Sequence, residues 1–223
     1  VSTGVRQCTQ DQEYQNFANW YTWNHKRYSQ AVTALSAAFA AQDAGRMRFG
    51  YGRLNATFSF SPAPTAAPIL TPRTVDGSSD KYNTIERGVR LYDATTRAAL
   101  FNWLFTTQPM GATSLPGAQD DVGRYFSRSD DRGPWGKTPG TADATSPLAC
   151  RKSYHILMTD GEWNTDRFLP TASPAWANID GQNGPVITGP GGQSWQYVPE
   201  APFKDTVSQT LADVAMYYWN RDL

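Results

Sequence analysis

The sequence predicts an α/β fold, a mostly parallel sheet with helices on both faces, and three observations carry that reading. Helical and strand periodicities follow one another in the order helix, strand, strand, helix, helix, strand, helix. The run Tyr154 to Met158, inside "SYHILMTDGEWN", has the unbroken apolar character of a strand buried on both faces. It ends on Asp160 and Gly161, at the carboxyl edge where open α/β sheets collect ligand groups. Three strands are too few for such a sheet, so the first and last strands are expected to lie outside this chain.

Thr9-Gln-Asp-Gln12 has the form of a capping box. Tyr14, Phe17, Tyr21, Tyr28, Val32, Leu35 and Phe39 follow at helical spacing, so one long amphipathic helix is predicted from Thr9 to near Gly45. "RMRFGYGRL" (46–54) alternates Met47, Phe49 and Tyr51 against Arg48, Gly50 and Gly52, and "TIERGVRLY" (84–92) supplies a second strand. Between them, residues 55–80 hold four prolines and read as an irregular excursion. Helices are predicted over 95–107, with Leu100, Phe101, Leu104 and Phe105 on one face, and over 115–126, with Leu115, Ala118, Val122 and Phe126. Residues 127–149 read as a polar linker rich in Gly and Pro, and 164–204 as a long insertion. Asp205 or Thr206 is expected to cap a last helix carrying Val207, Leu211, Val214, Ala215 and Tyr218. The whole is one partial domain, 1–223, with insertions at about 55–80, 127–149 and 164–204.

Composition narrows the function. The 223 residues carry 20 basic and 20 acidic side chains, so there is no electrostatic footprint for nucleic acid or for a polybasic membrane anchor. No apolar run reaches the roughly 18 residues that a membrane span needs. Val1 opens no charged-then-apolar leader, which reads as a processed product or an internal segment. Cys8 and Cys150 suit one long-range disulfide of an oxidising compartment, and two unconnected buried thiols are the alternative. Eight Trp, eleven Tyr and ten Phe beside eighteen Gly and fifteen Pro describe an aromatic protein with decorated loops, a style common outside the cell.

The residues that bear chemistry are few. Asp160 is a hard oxygen donor suited to Mg²⁺ or Ca²⁺, with Gly161 turning the chain behind it. Thr113, just ahead of the 115–126 helix, places a neutral hydroxyl toward the same edge; alone, such a Thr reads as a cap and such an Asp-Gly as a turn. "NIDGQNG", with Asn178, Asp180 and Asn183, faintly resembles a calcium loop but lacks the closing bidentate acid, so a polar surface turn is expected. Asp120-Asp121 reads as a solvated or dipole-complementing pair, and His25, on a helix, and His155, on a buried strand, as structural. Trp135, Trp163, Trp176 and Trp195 either fold the long loops down or present aromatic faces to a ligand.

"NFANWYTWNHKRYSQAVTALSAAF", "RMRFGYGRLN", "LFNWLF", "DDVGRYFSR", "CRKSYHILMTDGEWN" and "PFKDTVSQTLADVAMYYWNRDL" together resemble the von Willebrand factor A-type domain of the PilY family, the type IV pilus tip-associated adhesins. The resemblance spans nearly the whole chain. It implies a Rossmann-like sheet and a non-enzymatic role at a bacterial pilus tip or cell surface, in contact with minor pilins and host surfaces, in pilus assembly, adhesion, twitching motility and surface sensing. It also implies a metal-ion-dependent adhesion site built from a D-x-S-x-S loop, a Thr and an Asp, and taking Mg²⁺, Ca²⁺ or Mn²⁺. Thr113 matches the second element and Asp160 the third; the D-x-S-x-S loop is absent. The near miss "DGSSD" has Asp76 and Ser78 but Asp80 in place of the final Ser, and follows no apolar strand. Two other readings rank below: a structural spacer that uses no metal, and a secreted carbohydrate-binding domain.

Overall fold

A computed structural model describes residues 8–54, 58–59, 69–109, 113–143, 151–163 and 173–223. They fall in two compact units, one formed by 1–47 and 91–109, the other by 48–90 and 110–223.

In the first unit the predicted long helix is two helices, α1 (Gln10–Asn24) and α2 (Arg27–Ala40). The capping box forms as expected, with Thr9 accepting from the Gln12 amide and Gln12 returning the bond to the Thr9 amide. The break has a local cause. The His25 ring bonds the Tyr21 carbonyl, and Lys26 turns extended at φ −95°, ψ 138° to become the N-cap of α2. Asp93 caps α3 (Ala94–Thr106) by accepting from the Thr96 amide at 2.8 Å. Helices α2 and α3 are tied by Tyr28, whose hydroxyl donates to the Leu104 and Thr107 carbonyls, and by Arg97, which donates to the Ala40 carbonyl at 3.1 Å. Leu100, Leu104 and Tyr92 are buried here, and the Tyr92 hydroxyl reaches the Phe39 carbonyl at 2.7 Å. Helix α1 buries no residue at all; Tyr14, Phe17, Trp20, Tyr21 and Trp23 are all exposed.

The second unit opens with the two predicted strands, β1 (Arg48–Gly52) and β6 (Ile85–Leu91), paired as one ladder. Gly50 faces Arg87–Val89 while Gly52 faces Thr84–Ile85, so the two run antiparallel. A Cβ on Gly52 would lie 2.1 Å from the Thr84 carbonyl oxygen, and that crowding explains the glycine. The predicted irregular excursion contains short antiparallel ladders, β2 (Phe58–Ser59) with β3 (Ile69–Leu70) and β4 (Arg73–Thr74) with β5 (Lys81–Tyr82). Helix α4 (Leu115–Phe126) matches its predicted range, with Pro116 in the first turn where its missing N–H costs nothing. Val75, Tyr82, Ile85 and Tyr125 form the core beneath it, with Val89, Val122 and Phe126 packed around.

Three segments of this unit differ from expectation. Residues 127–143 carry no helix or strand, as a linker would, but they are folded in: Gly133, Pro134, Gly136 and Pro139 are buried, and Trp135 holds the loop down by donating to the Phe126 carbonyl at 2.6 Å. The last helix, α5 (Leu211–Trp219), begins later than predicted. Asp205 instead accepts the Val207 amide in a turn, Gln209 takes a left-handed φ of 64°, and Thr210 with Asp213 forms the capping box. The run Tyr154–Met158 makes no strand among the described residues, and Tyr154 and Ile156 are 79% and 81% exposed. A strand apolar on both faces is held by neighbours on both edges, and no described segment pairs with this one. His155 is accordingly exposed rather than buried.

The 164–204 insertion carries a 3₁₀ turn, Pro174–Trp176, and the hairpin of β7 (Ile187–Thr188) and β8 (Ser194–Trp195). Ala175 of this turn joins Val214 and Tyr218 of α5 in a second small core, through which α5 and the turn pack together. Helix α5 lies against α4 so closely that a Cβ on Gly123 would sit 2.3 Å from the Tyr218 ring. A mid-helix glycine costs about 1 kcal/mol relative to alanine, and here it admits a buried aromatic. Every strand pair with a described register is antiparallel.

Candidate functional site

Thr113 sits half-buried one residue before Ser114, the N-cap of α4. Asp160 stands exposed at the end of the irregular run 151–160. Behind it Gly161 adopts φ 100°, a conformation that a side chain strongly disfavours, and its amide donates to the Thr159 hydroxyl at 3.2 Å. The turn expected after the apolar run therefore forms, and it leaves Asp160, Glu162 and Trp163 open to solvent. Both metal candidates belong to the second unit.

A hydroxyl and a carboxylate are the right donors for a hard divalent cation, but Ca²⁺ or Mg²⁺ takes about six or more oxygens. Among the described residues no cluster of three or more His, Cys, Asp or Glu side chains could hold a metal. The near-miss loop is engaged elsewhere: Asp76, at a left-handed φ of 55°, is ion-paired with Arg90 and accepts from the Tyr125 hydroxyl at 3.2 Å, while Ser78 bonds Tyr82 and the Asp80 amide. Of the two candidate disulfide cysteines, Cys8 is a free, exposed thiol, and Cys150 lies outside the described residues.

The acids that sequence reading placed in solvent are buried. Asp120 is wholly inaccessible and accepts from the Tyr218 hydroxyl at 2.7 Å, the Ser173 hydroxyl at 2.9 Å and Arg124 Nε at 3.3 Å. Asp121 accepts the Asn83 and Thr84 amides at 2.6 and 2.9 Å and pairs with Arg124, whose guanidinium also lies over the Tyr82 ring. Burial pushes the Asp121 carboxyl above its usual range, against the pull of Arg124 and the two amides. Burial, together with the Asp120 charge, pushes the Tyr218 phenol well up, so it stays a donor throughout the ordinary pH range. With their oxygens taken up by fixed protein donors, these carboxylates hold α4, α5 and the 173–176 turn together and are not presented to a substrate. One signal in the sequence pointed to this. Ala118, Asp121 and Tyr125 stand at i, i+3 and i+7, so Asp121 lies on the apolar stripe, with Arg124 one turn on.

The turn expected at 178–184 forms, with the Gln182 amide on the Ile179 carbonyl and residues 181–183 exposed, but Asp180 within it is buried. Its carbonyl accepts from the Tyr197 hydroxyl at 2.8 Å and its carboxylate from the Asp205 amide, while Asn178 donates to the Asp205 and Val207 carbonyls. Asn183 is exposed. The tryptophans divide. Trp135 and Trp176 pack into local cores, whereas Trp163 and Trp195 are 41% and 45% exposed, and Trp195 meets Trp219 edge-on at 5.3 Å. His25 is exposed at the end of α1. No helix among the described residues is long and apolar enough to cross a membrane.

Comparison with known proteins gives a consistent likeness. The chain is 34% identical over 94% of its length to the type IV pilus biogenesis factor PilY1 of Pseudomonas aeruginosa strain PAK. It is 30% identical over 98% of its length to the PilY1 of strain PAO1, and 30% identical over 93% to that of strain UCBPP-PA14. It spans only 15–16% of the length of these relatives. The likeness supports the PilY family. No family model matches the chain, and no solved structure matches it.

Proposed function

We propose that this chain is a non-catalytic region of a type IV pilus biogenesis factor of the PilY kind, acting at the pilus tip or cell surface through contacts with minor pilins and extracellular ligands. The observation that carries this reading is likeness to three PilY1 proteins over at least 93% of the chain. The arrangement of its acids agrees with a non-enzymatic role, because Asp120 and Asp121 are committed to internal donors.

The fold put forward for the complete region is von Willebrand factor A-like, a mostly parallel sheet in which Tyr154–Met158 is an inner strand. The exposed apolar side chains of that run support it, since such a segment gains roughly 1.5–3 kcal/mol for each large side chain that neighbouring strands cover. In that setting Thr113 and Asp160 contribute two ligands to a divalent-cation site, Mg²⁺ by preference, with Ca²⁺ and Mn²⁺ the alternatives. The remaining ligands come from residues outside this chain. One carboxylate with neutral hydroxyls leaves a cation under-neutralised and receptive to an acidic group on a partner.

Two experiments test this. In the host bacterium, replacing the protein with a copy lacking this region should abolish or sharply reduce surface pili; normal piliation would sink the biogenesis role. Calorimetric titration of the intact protein with Mg²⁺ and Mn²⁺ should show binding that Asp160→Ala loses and Thr113→Val weakens. Equal binding by all three removes both residues from any metal site and leaves the pilus assignment standing.

A further inference from the structure

Two arginines far apart in sequence converge on one carbonyl. Arg48, at the start of β1, donates from Nη1 to the Gly136 oxygen at 3.0 Å and from Nη2 to the Lys137 oxygen at 2.7 Å. Arg151, at the head of the irregular run 151–160, donates from its own Nη1 to the same Gly136 oxygen, also at 3.0 Å. The two Nη1 atoms are therefore within about 6 Å of each other, a separation at which like charges repel. Among the described residues no carboxylate pairs with either arginine, although Arg73, Arg90, Arg124 and Arg128 all have acidic partners. Each guanidinium carries five N–H donors, and these bonds take only two from Arg48 and one from Arg151.

The platform under them is rigid. Gly136 is buried, its amide donates to the Gly133 carbonyl at 3.2 Å, and a Cβ there would lie 2.1 Å from the Asp131 carbonyl oxygen. Nearby, Gly140 is bonded to the Arg132 carbonyl at a left-handed φ of 86°. Lys137 is exposed beside the pair, and both arginines are half-exposed, so solutes reach them. Both side chains are held below the usual arginine range, Arg48 by burial and Arg151 by burial and the Arg48 charge. Burial is the main cause in both, and the neighbouring cation adds to it at Arg151.

We propose that Arg48 and Arg151, clamped by the Gly136–Lys137 carbonyls, form a binding site for a tetrahedral oxyanion of the phosphate or sulfate class. Such an anion bridges the two guanidinium forks, takes up their unspent N–H groups and cancels the repulsion between them. The site uses neither Thr113 nor Asp160, and it stands whether or not the chain acts in pilus assembly.

The test is calorimetric titration of the intact protein with inorganic phosphate at low ionic strength, with chloride and acetate as controls. Wild-type protein should show saturable one-site binding, weakened about tenfold or more by Arg151→Gln and by Arg48→Gln. Arg151→Lys should retain part of the affinity, since it keeps the charge and loses the fork. Arg48→Gln gives up two structural bonds; if it fails to fold, Arg151→Gln, which gives up one, decides the matter. Absence of saturable phosphate binding, or binding unchanged in Arg151→Gln, overturns the proposal. Acetate binding as tightly as phosphate overturns the assignment of anion class.

Discussion

The α4–α5 contact and the run 151–163 invert the usual division of polar and apolar residues. At the contact, two aspartates and a tyrosine hydroxyl are packed away from water and bonded, with the half-buried Arg124 closing over the acids. In the run, tyrosine, isoleucine and methionine lie open to it. The difference shows that partners, more than polarity, decide what is buried here. Asp120 and Asp121 find enough donors to offset their desolvation, while Tyr154 and Ile156 find no strand to lie against.

Several substitutions would break or sharpen that contrast. The largest effect is expected from Asp120→Ala, which strands the Tyr218 hydroxyl and half of the Arg124 pairing. Breaking one partner of such a buried set costs about 3–5 kcal/mol, to be read from the denaturant midpoint, and a loss below about 1 kcal/mol would show that the cluster is not desolvated. Next is Gly123→Ala, where the new methyl meets the Tyr218 ring at 2.3 Å. Overpacking of about 1–3 kcal/mol outweighs the gain in helix propensity, so the substitution should destabilise although it removes a mid-helix glycine.

A smaller effect belongs to Asp130, whose hydrogen bond from Arg128 holds its carboxyl below the usual range. A depressed folded pKa contributes stability that is fully present above the unfolded value near 4 and is lost as pH falls through the lower, folded value. Asp130→Asn should therefore reduce stability at neutral pH and leave it unchanged in strong acid. Because Asp130 is about half exposed, the neutral-pH loss should stay below about 1 kcal/mol. The smallest effect is predicted for Ile156→Ser in this chain, within about 0.5 kcal/mol, as for any exposed site. The same change in the full-length protein is the more telling measurement: a loss of about 2 kcal/mol or more there would show that strands outside this chain cover the run.

Much of the secondary structure was legible. The Thr9 box, β1, β6, α3 and α4 all follow from spacing and cap chemistry over a few residues, and α4 was placed to the residue. Sequence reading missed the break at Lys26 and the late start of α5, because each depends on one backbone torsion: extended at Lys26, left-handed at Gln209. The candidate site was legible only as residue types. Thr113 and Asp160 are recognisable as oxygen donors, but nothing in their neighbourhoods sets the distance between them. The Arg48–Arg151 pair was invisible, since its members are brought together by a carbonyl of a third segment.

What the chain encodes locally, then, is where helices begin, which positions alternate, and which turns need glycine, because those depend on torsions and contacts among neighbours in sequence. Whether Asp120 meets Tyr218, whether two arginines share the Gly136 oxygen, and whether the Tyr154 run is covered were decided only by tertiary packing. Burial energy depends on which distant groups arrive, and no local pattern specifies their arrival.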